Sequence, residues 1–499
     1  MGDANYNQLG KAQLRIVDVV AQSIGFMGPV FSVALLIPLI VGGSFSGHGA
    51  GVTTPFAIII AAAGTFALAW MISRYAHHIA TCGALYDYVS QGVGRRVGFV
   101  AGWAYYGAAV VGFCLGTVMI TAGIASDFLA SSYGIHIDWW ILGLGLSAVM
   151  LGIVSYGVRL STRAQLVLVG FSAVVVFGFS LYVIARSGLS LQPFNPSASP
   201  GGLTGIFYGV IYGVALFIGF ETAANLAEET SQPKRAIPRA LFLAIGLGAL
   251  YYVICAYAQA VGFGLDANKW AGSVAPLVVL AGDPKYGSTG LADAMQIMVL
   301  VDALAVGIGA WTATSRGIFS LARDRRIPNV LARTHPSRGT PVAAALLIFA
   351  ISVTTILVTH FTGGLLSRAT ADPSVLLPEY LPLWIWIATF GPFLFILVYL
   401  TISVTGVIGL WKLEPRVPLV VAGVVGGLLS LGALFGLIYQ APDPLNKVPY
   451  FALGWVVVGA GLAVWFAVSK RAEPAPAVLE AAPGAKPAES VVAGTLGVR

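Results

Sequence analysis

Apolar residues run along most of this chain in blocks of twenty or more, parted by short polar or charged connectors. A block of about twenty such residues is long enough to cross a hydrocarbon core as a helix. Twelve of them are expected, at residues 16–42, 54–76, 97–127, 139–157, 161–187, 202–228, 237–263, 291–322, 341–361, 382–410, 417–440 and 448–469. The pattern predicts an all-α integral membrane protein with twelve transmembrane helices.

Two of the blocks are interrupted. The first contains Ser23-Ile24-Gly25-Phe26-Met27-Gly28-Pro29-Val30, two glycines and a proline amid apolar neighbours. Pro29 has no N–H, so the carbonyl of Gly25, four residues back, loses its helical partner. In lipid that carbonyl must find another donor or line a cavity. The sixth block contains Phe217-Ile218-Gly219-Phe220-Glu221, followed by Ala227-Glu228-Glu229-Thr230 and a charged, proline-punctuated exit from Pro233 to Arg239. A carboxylate at membrane depth is expensive and usually faces a pathway or a binding cavity. Taken singly, either break is an ordinary kink or packing notch. Two breaks five helices apart, one of them carrying Glu221, read instead as the paired broken helices of a secondary transporter.

Connection lengths support the pairing. The long connector after the second block, 77–96, matches the long one after the seventh, 264–290. An offset of five is odd, so the second unit stands upside down relative to the first. The expected organisation is a short cytoplasmic tail (1–15), two inverted five-helix repeats (16–187 and 202–410), two peripheral helices (417–469) and a tail (470–499). That last segment is rich in Ala and Pro and expected to be disordered.

Composition narrows the class. The 499 residues are 58% hydrophobic and 9% charged, with mean hydropathy +0.86. Soluble domains carry about a quarter charged residues, so a water-soluble globule is excluded. The net charge of +7 reports topology rather than a nucleic-acid partner. With both termini inside, only Arg186, Lys269, Lys285, Arg368 and Lys447 of the 27 basic residues lie outside, as the positive-inside rule demands. The first block is longer than a signal core, carries Asp18 and lacks a small-residue cleavage site, so it is expected to stay. Cys82, Cys114 and Cys255 are scattered and suggest neither disulfides nor a metal cluster.

Several motifs together resemble the amino acid–polyamine–organocation (APC) permeases over nearly all of 14–410. The most specific are the sixth-block sequence and Ser315-Arg316-Gly317-Ile318-Phe319-Ser320-Leu321-Ala322-Arg323-Asp324, which runs on to Ile327-Pro328 and Thr340-Pro341. Gly83-Ala84-Leu85-Tyr86 and Gly102-Trp103 add to the match. The resemblance implies a five-plus-five inverted-repeat transporter with broken helices one and six, moving amino acids or related amines by alternating access. It also implies substrate contacts along Gly25, Phe26, Met27, Gly28 and Pro29 and along Ile218, Gly219, Phe220 and Glu221. Glu221 matches a carboxylate that helps close the family's site; a structural acceptor tying two helices together fits as well.

Three positions depart from the family pattern. Gly28-Pro29 stands where members often read Gly-x-Gly, which removes an amide able to hold a carboxylate. Ala215 replaces an aromatic that stacks on cationic substrates, and Ser172 stands where several proton-coupled members carry a lysine. Asp302, in the eighth block, fits a group that titrates during transport or neutralises a cationic substrate, or a packing contact near the outer surface. Asp18, near the inner end of helix one, reads as a gate or interface charge. Gly309 and Ala310 stand where related sodium symporters carry hydroxyls, which disfavours sodium. His77 and His78 are expected at a solvated junction, and Trp103 and Tyr106 face inward if helix three lines the pathway.

The expected partners are a small-molecule amino acid or amine and the lipid bilayer, with transport either coupled to protons or by exchange; no nucleic acid and no cofactor is implied. A polyamine or ethanolamine-type amine permease is the second reading. Neither a repeated pore loop, a nucleotide-binding P-loop nor a catalytic constellation is visible, which argues against a channel, an ATP-driven pump and an enzyme.

Overall fold

A computed structural model describes residues 8–10, 13–42, 49–273, 275–369, 376–439 and 441–468. Among them twelve helical spans are long and apolar enough to cross a membrane: Ile16–Leu35, Gly51–His78, Arg95–Tyr133, Trp139–Tyr156, Val158–Ser187, Gly202–Glu229, Pro233–Gly262, Thr289–Arg323, Val342–Phe361, Tyr380–Gly409, Arg416–Ile438 and Leu445–Phe466. These are spans one to twelve below. Each overlaps an expected block. The expected block ends at 440 and 469, the tail 470–499 and most of 1–15 lie outside the described residues.

Span one occupies the middle of the bundle, packed against spans five, seven and eight and the second half of span six. Span two lies along span seven, and span five along span eight. Span eleven packs on spans two and ten, and span twelve on spans three and ten. Outward faces stay apolar, with side chains such as Val174, Val417 and Val457 more than two-thirds exposed. In water such faces would be a liability, but here their solvent is lipid, and helices associate through close packing. Gly112 of span three meets Gly391 of span ten so closely that a Cβ on Gly112 would sit 2.6 Å from the Gly391 Cα.

Span three is not a uniform helix. Residues Ala109–Leu115 widen into a π-helical turn, a local irregularity found mostly at functional sites. It carries Phe113 to within 4.9 Å, ring to ring, of Phe26 in span one. The long connectors also carry helices of their own, Leu85–Val93 in the first and Ala267–Ala271 and Pro276–Gly282 in the second.

Candidate functional site

The two expected breaks are present and lie against each other. Helix Ile16–Met27 ends at Gly28, whose φ of 57° is a left-handed conformation that a side chain resists. The Gly28 N–H closes the last turn on the Ile24 carbonyl at 3.0 Å, and the Ser32 hydroxyl donates to the Met27 carbonyl at 2.8 Å. The chain restarts as Pro29–Leu35. Proline suits that first position, where its missing N–H would have had no helical partner. In span six, helix Gly202–Gly213 tightens into 3-10 turns at Val214–Phe217, extends at Ile218, and turns at Gly219 with φ 104°. A Cβ there would run into the ring of Phe26. Ser23 clasps the breaks together: its hydroxyl donates to the Phe220 carbonyl at 2.6 Å and accepts from the Ala223 N–H at 3.1 Å.

Glu221 sits fully buried beside this clasp. Its Oε1 accepts from the Tyr105 hydroxyl at 2.6 Å; its Oε2 accepts from the Tyr399 hydroxyl at 2.8 Å and the Gly219 N–H at 3.2 Å. One carboxylate thus joins spans three, six and ten. Phe26, Phe113 and Phe395 form an aromatic cluster against Tyr105, with Phe113 and Phe395 centroids 4.8 Å apart and Tyr105 and Phe395 centroids 4.4 Å apart. The helix-tying geometry expected as one of its two roles is therefore present.

Asp302 is not a packing contact near the outer surface. It is buried at the first break, where its Oδ2 accepts from the N–H groups of Val30 and Phe31, each at 2.9 Å. Its Oδ1 accepts from the Ser172 hydroxyl at 3.2 Å. It caps the second half of span one from the side of spans five and eight. Asp18, by contrast, is spent locally: it accepts from the Arg15 N–H at 2.8 Å and caps the start of span one, remote from the breaks.

Sequence reasoning missed Tyr105 and Tyr399, which look like ordinary packing aromatics in apolar runs. Trp103 and Tyr106, expected inward only if helix three lines the pathway, part company. Trp103 stacks on Trp455 of span twelve at 4.7 Å, each indole N–H donating to the other's carbonyl. Tyr106 does face the interior, accepting from the Asn225 amide at 2.8 Å and donating to the Gly83 carbonyl at 2.9 Å. His78 is buried against Glu414 at 3.1 Å rather than solvated. At Gly309 the Gln22 amide donates to the backbone carbonyl at 2.9 Å, and Gln165 donates to Gln22 at 3.1 Å.

The two ends of the bundle differ. At one end Arg323 makes a two-pronged contact with Glu228, at 2.8 and 2.9 Å. Glu228 also accepts from the Cys82 N–H at 3.0 Å, and the Tyr86 hydroxyl donates to Asp324 at 2.8 Å. Deeper in, Arg316 pairs with Glu229 and donates to the Thr312 carbonyl at 3.0 Å. Leu14 adds a strand-like bridge, its N–H on the Glu229 carbonyl at 2.9 Å. Asp87, on the connector helix beneath this seam, has its carboxyl pushed up to about 7 by burial, and its Oδ2 has no hydrogen-bond partner. At the other end a cavity of about 830 Å3 opens between Leu35, Asp127, Lys269, Asp293 and Val299. A smaller apolar groove of about 490 Å3, beside Val17, Phe177 and Leu247, lies between spans one, five and seven and reaches Pro29 at the first break.

This arrangement of two broken, mutually clasped helices belongs with a known family. The family model described as amino acid permease matches residues 22–371. The chain belongs to that family. An uncharacterized transporter of Mycobacterium tuberculosis is 25% identical over 462 residues, covering 91% of each chain. The low-affinity putrescine importer PlaP of Escherichia coli is 24% identical over 359 residues, 69% of this chain and 74% of that one. The branched-chain amino acid permease BcaP of Bacillus subtilis is 23% identical over 317 residues, 59% of this chain and 65% of that one. The fold is also that of the crystal structure of a manganese transporter from Eremococcus coleocola, with TM-score 0.52 and 12% identity over 93% of this chain and 98% of that one. The permease is accordingly a multi-pass secondary transporter of the amino acid and related-amine kind.

Proposed function

We propose that this permease binds the polar end of a small amine-bearing substrate at the two breaks, Gly25 to Pro29 and Ile218 to Glu221, and moves it by alternating access between two inverted units, 16–187 and 202–410. The observation that carries this reading is the clasp of Ser23 on Phe220 and Ala223. It holds unwound backbone from both half-helices at one buried point, where unwound carbonyls favour an ammonium. Glu221 closes the site through its three donors and exchanges a proton in the cycle, coupling transport to pH. Asp18 belongs to the closing layer at the basic end, since Leu14 beside it binds Glu229 and Ser231. The positive-inside bias puts both termini and that basic end in the cytoplasm.

The test is uptake into proteoliposomes holding the purified full chain, driven by a substrate gradient with and without a proton gradient. Saturable uptake stimulated by an acidic outside supports the reading. Saturable uptake indifferent to pH removes the coupling role and leaves the site. Absence of uptake for both amines and amino acids removes the permease reading itself.

A further inference from the structure

The amide groups at the start of Pro29–Leu35 are not available to a ligand. Pro29 has none, and the N–H groups of the next two residues, Val30 and Phe31, both donate to Asp302 at 2.9 Å. Asp302 is buried, and its three bonded donors, Val30, Phe31 and the Ser172 hydroxyl, are all neutral. The second break repeats the arrangement: the Gly219 N–H donates to Glu221, and the Ala223 N–H to Ser23. The amides of Val30 and Phe31 at the first break and of Gly219 and Ala223 at the second are thus taken by the protein's own oxygens, in both cases with a carboxylate next to the break. The start of a half-helix favours one negative group. A second carboxylate brought against Asp302 would meet a like charge in a desolvated place, with no donor left for it.

We propose that Asp302 stands in for the α-carboxylate of an amino acid, so that the substrate is an amine lacking a carboxylate, with Asp302 as the specificity-determining residue. The proposal rests on the permease reading above and narrows it. The ligand brings the ammonium and a side chain; Asp302 supplies the negative partner that an amino acid would carry itself. The half-helix stays capped whether or not substrate is present, and the buried carboxylates at the breaks gain a counter-charge when it arrives. Shape then selects among amines through the apolar side chains around the site, chiefly Phe26, Phe113 and Phe395.

The experiment compares amines with their parent amino acids on the purified full chain: isobutylamine with valine, ethanolamine with serine, and putrescine with ornithine. Melting temperature is read at matched concentrations, followed by counterflow in proteoliposomes for any compound that stabilises. At least one amine should raise the melting temperature, since a ligand of the folded state does so. Its parent amino acid should bind at least about tenfold more weakly. Asp302→Ala frees the two amides, so the preference within that pair should fall or reverse. Asp302→Asn keeps the shape but loses the charge, and should weaken amine binding without admitting the amino acid. Wild-type protein that binds valine, serine or ornithine as well as the matching amine overturns the inference and leaves the permease reading standing. That comparison needs no variant to fold. If no member of any pair stabilises or exchanges, both fall.

Discussion

Replacing Glu221 with Gln separates a tie between helices from a group that carries a proton. The side chain accepts three bonds, from Tyr105 at 2.6 Å, Tyr399 at 2.8 Å and Gly219 at 3.2 Å. A bond to a charged group contributes about 1.5–3 kcal/mol and a neutral one about 0.5–1.5 kcal/mol, so each loses about 1 kcal/mol when the charge goes. The Gln oxygen still serves one side, while its NH2 faces an oxygen or N–H that formerly donated. The expected cost is about 2–3 kcal/mol, shared over spans three, six and ten. If those bonds belong to this conformation and part in the next, the balance between the two shifts by roughly 30- to 150-fold.

The assay has two readings on the same preparation: melting temperature, and substrate counterflow from about pH 5 to 8. Glu221→Gln should lower the melting temperature and flatten the pH profile of exchange, because the amide cannot ionise. Paired with Tyr399→Phe, it should lose less than the two single changes added together, since both remove the same bond. An unchanged pH profile with a lowered melting temperature would leave Glu221 as a structural tie alone. Wild-type values for both would refute the reasoning from geometry, because three buried donors would then have lost a charged acceptor at no cost.

Other expectations follow from single positions. Gly28→Leu and Gly219→Leu force side chains onto backbone at φ 57° and 104°, against Val306 and Phe26, and should abolish uptake while full-length protein still reaches the membrane; saturable uptake by either would remove the backbone site. In a background lacking Cys82, Cys114 and Cys255, which are all buried, a cysteine at Asn268 should react with an impermeant reagent on intact cells and one at Ser337 should not. The reverse would invert the proposed topology. Asp87 is neutral in the closed seam up to about pH 7, whereas a solvated carboxylate ionises near pH 4. Its burial therefore favours the closed form fully below pH 4, and that contribution is lost as pH rises to 7; Asp324, Glu228 and Arg323 are the charged groups around it. The melting temperature of Asp87→Asn should fall less between pH 5 and 8 than that of the wild type, and parallel curves would refute this.

Much of the architecture could be read from the chain because lipid imposes long uniform runs, and departures such as Gly28-Pro29 and Gly219 stand out against them. The motifs at Gly83–Tyr86, Ala227–Thr230 and Ser315–Asp324 were also visible, though their reason was not. They converge on one seam, where Arg323 meets Glu228, Tyr86 meets Asp324 and Arg316 meets Glu229. What escaped notice are partners with no local signature. Tyr105 and Tyr399 lie in different spans and are marked only by the Glu221 carboxylate between them. Asp302 reads as an isolated charge until the fold brings Val30 and Phe31, some 270 residues away in sequence, onto its oxygen. The neighbour of Trp103 was not legible either, because a tryptophan in an apolar helix carries no sign of what it will stack on, and its partner, Trp455, sits in a peripheral span.

The unequal exposure of the two ion pairs in the seam predicts the order in which they part. Arg316 and Glu229 are fully desolvated, their side chains 0% and 2% exposed. Arg323 and Glu228 are 31% and 22% exposed, so water already reaches them. Separating a buried pair leaves charges without solvent and costs several kcal/mol, whereas parting a half-wet pair exchanges protein donors for water at about 1 kcal/mol or less. Opening this end along the less costly path therefore parts Arg323 from Glu228 and Tyr86 from Asp324, and keeps Arg316 with Glu229. Glu229 closes span six, and Leu14 is bonded to its carbonyl. The surviving pair would then carry that end of span six and the lead-in to span one along with span eight, while the connector helix Leu85–Val93 is left on the other side of the gap.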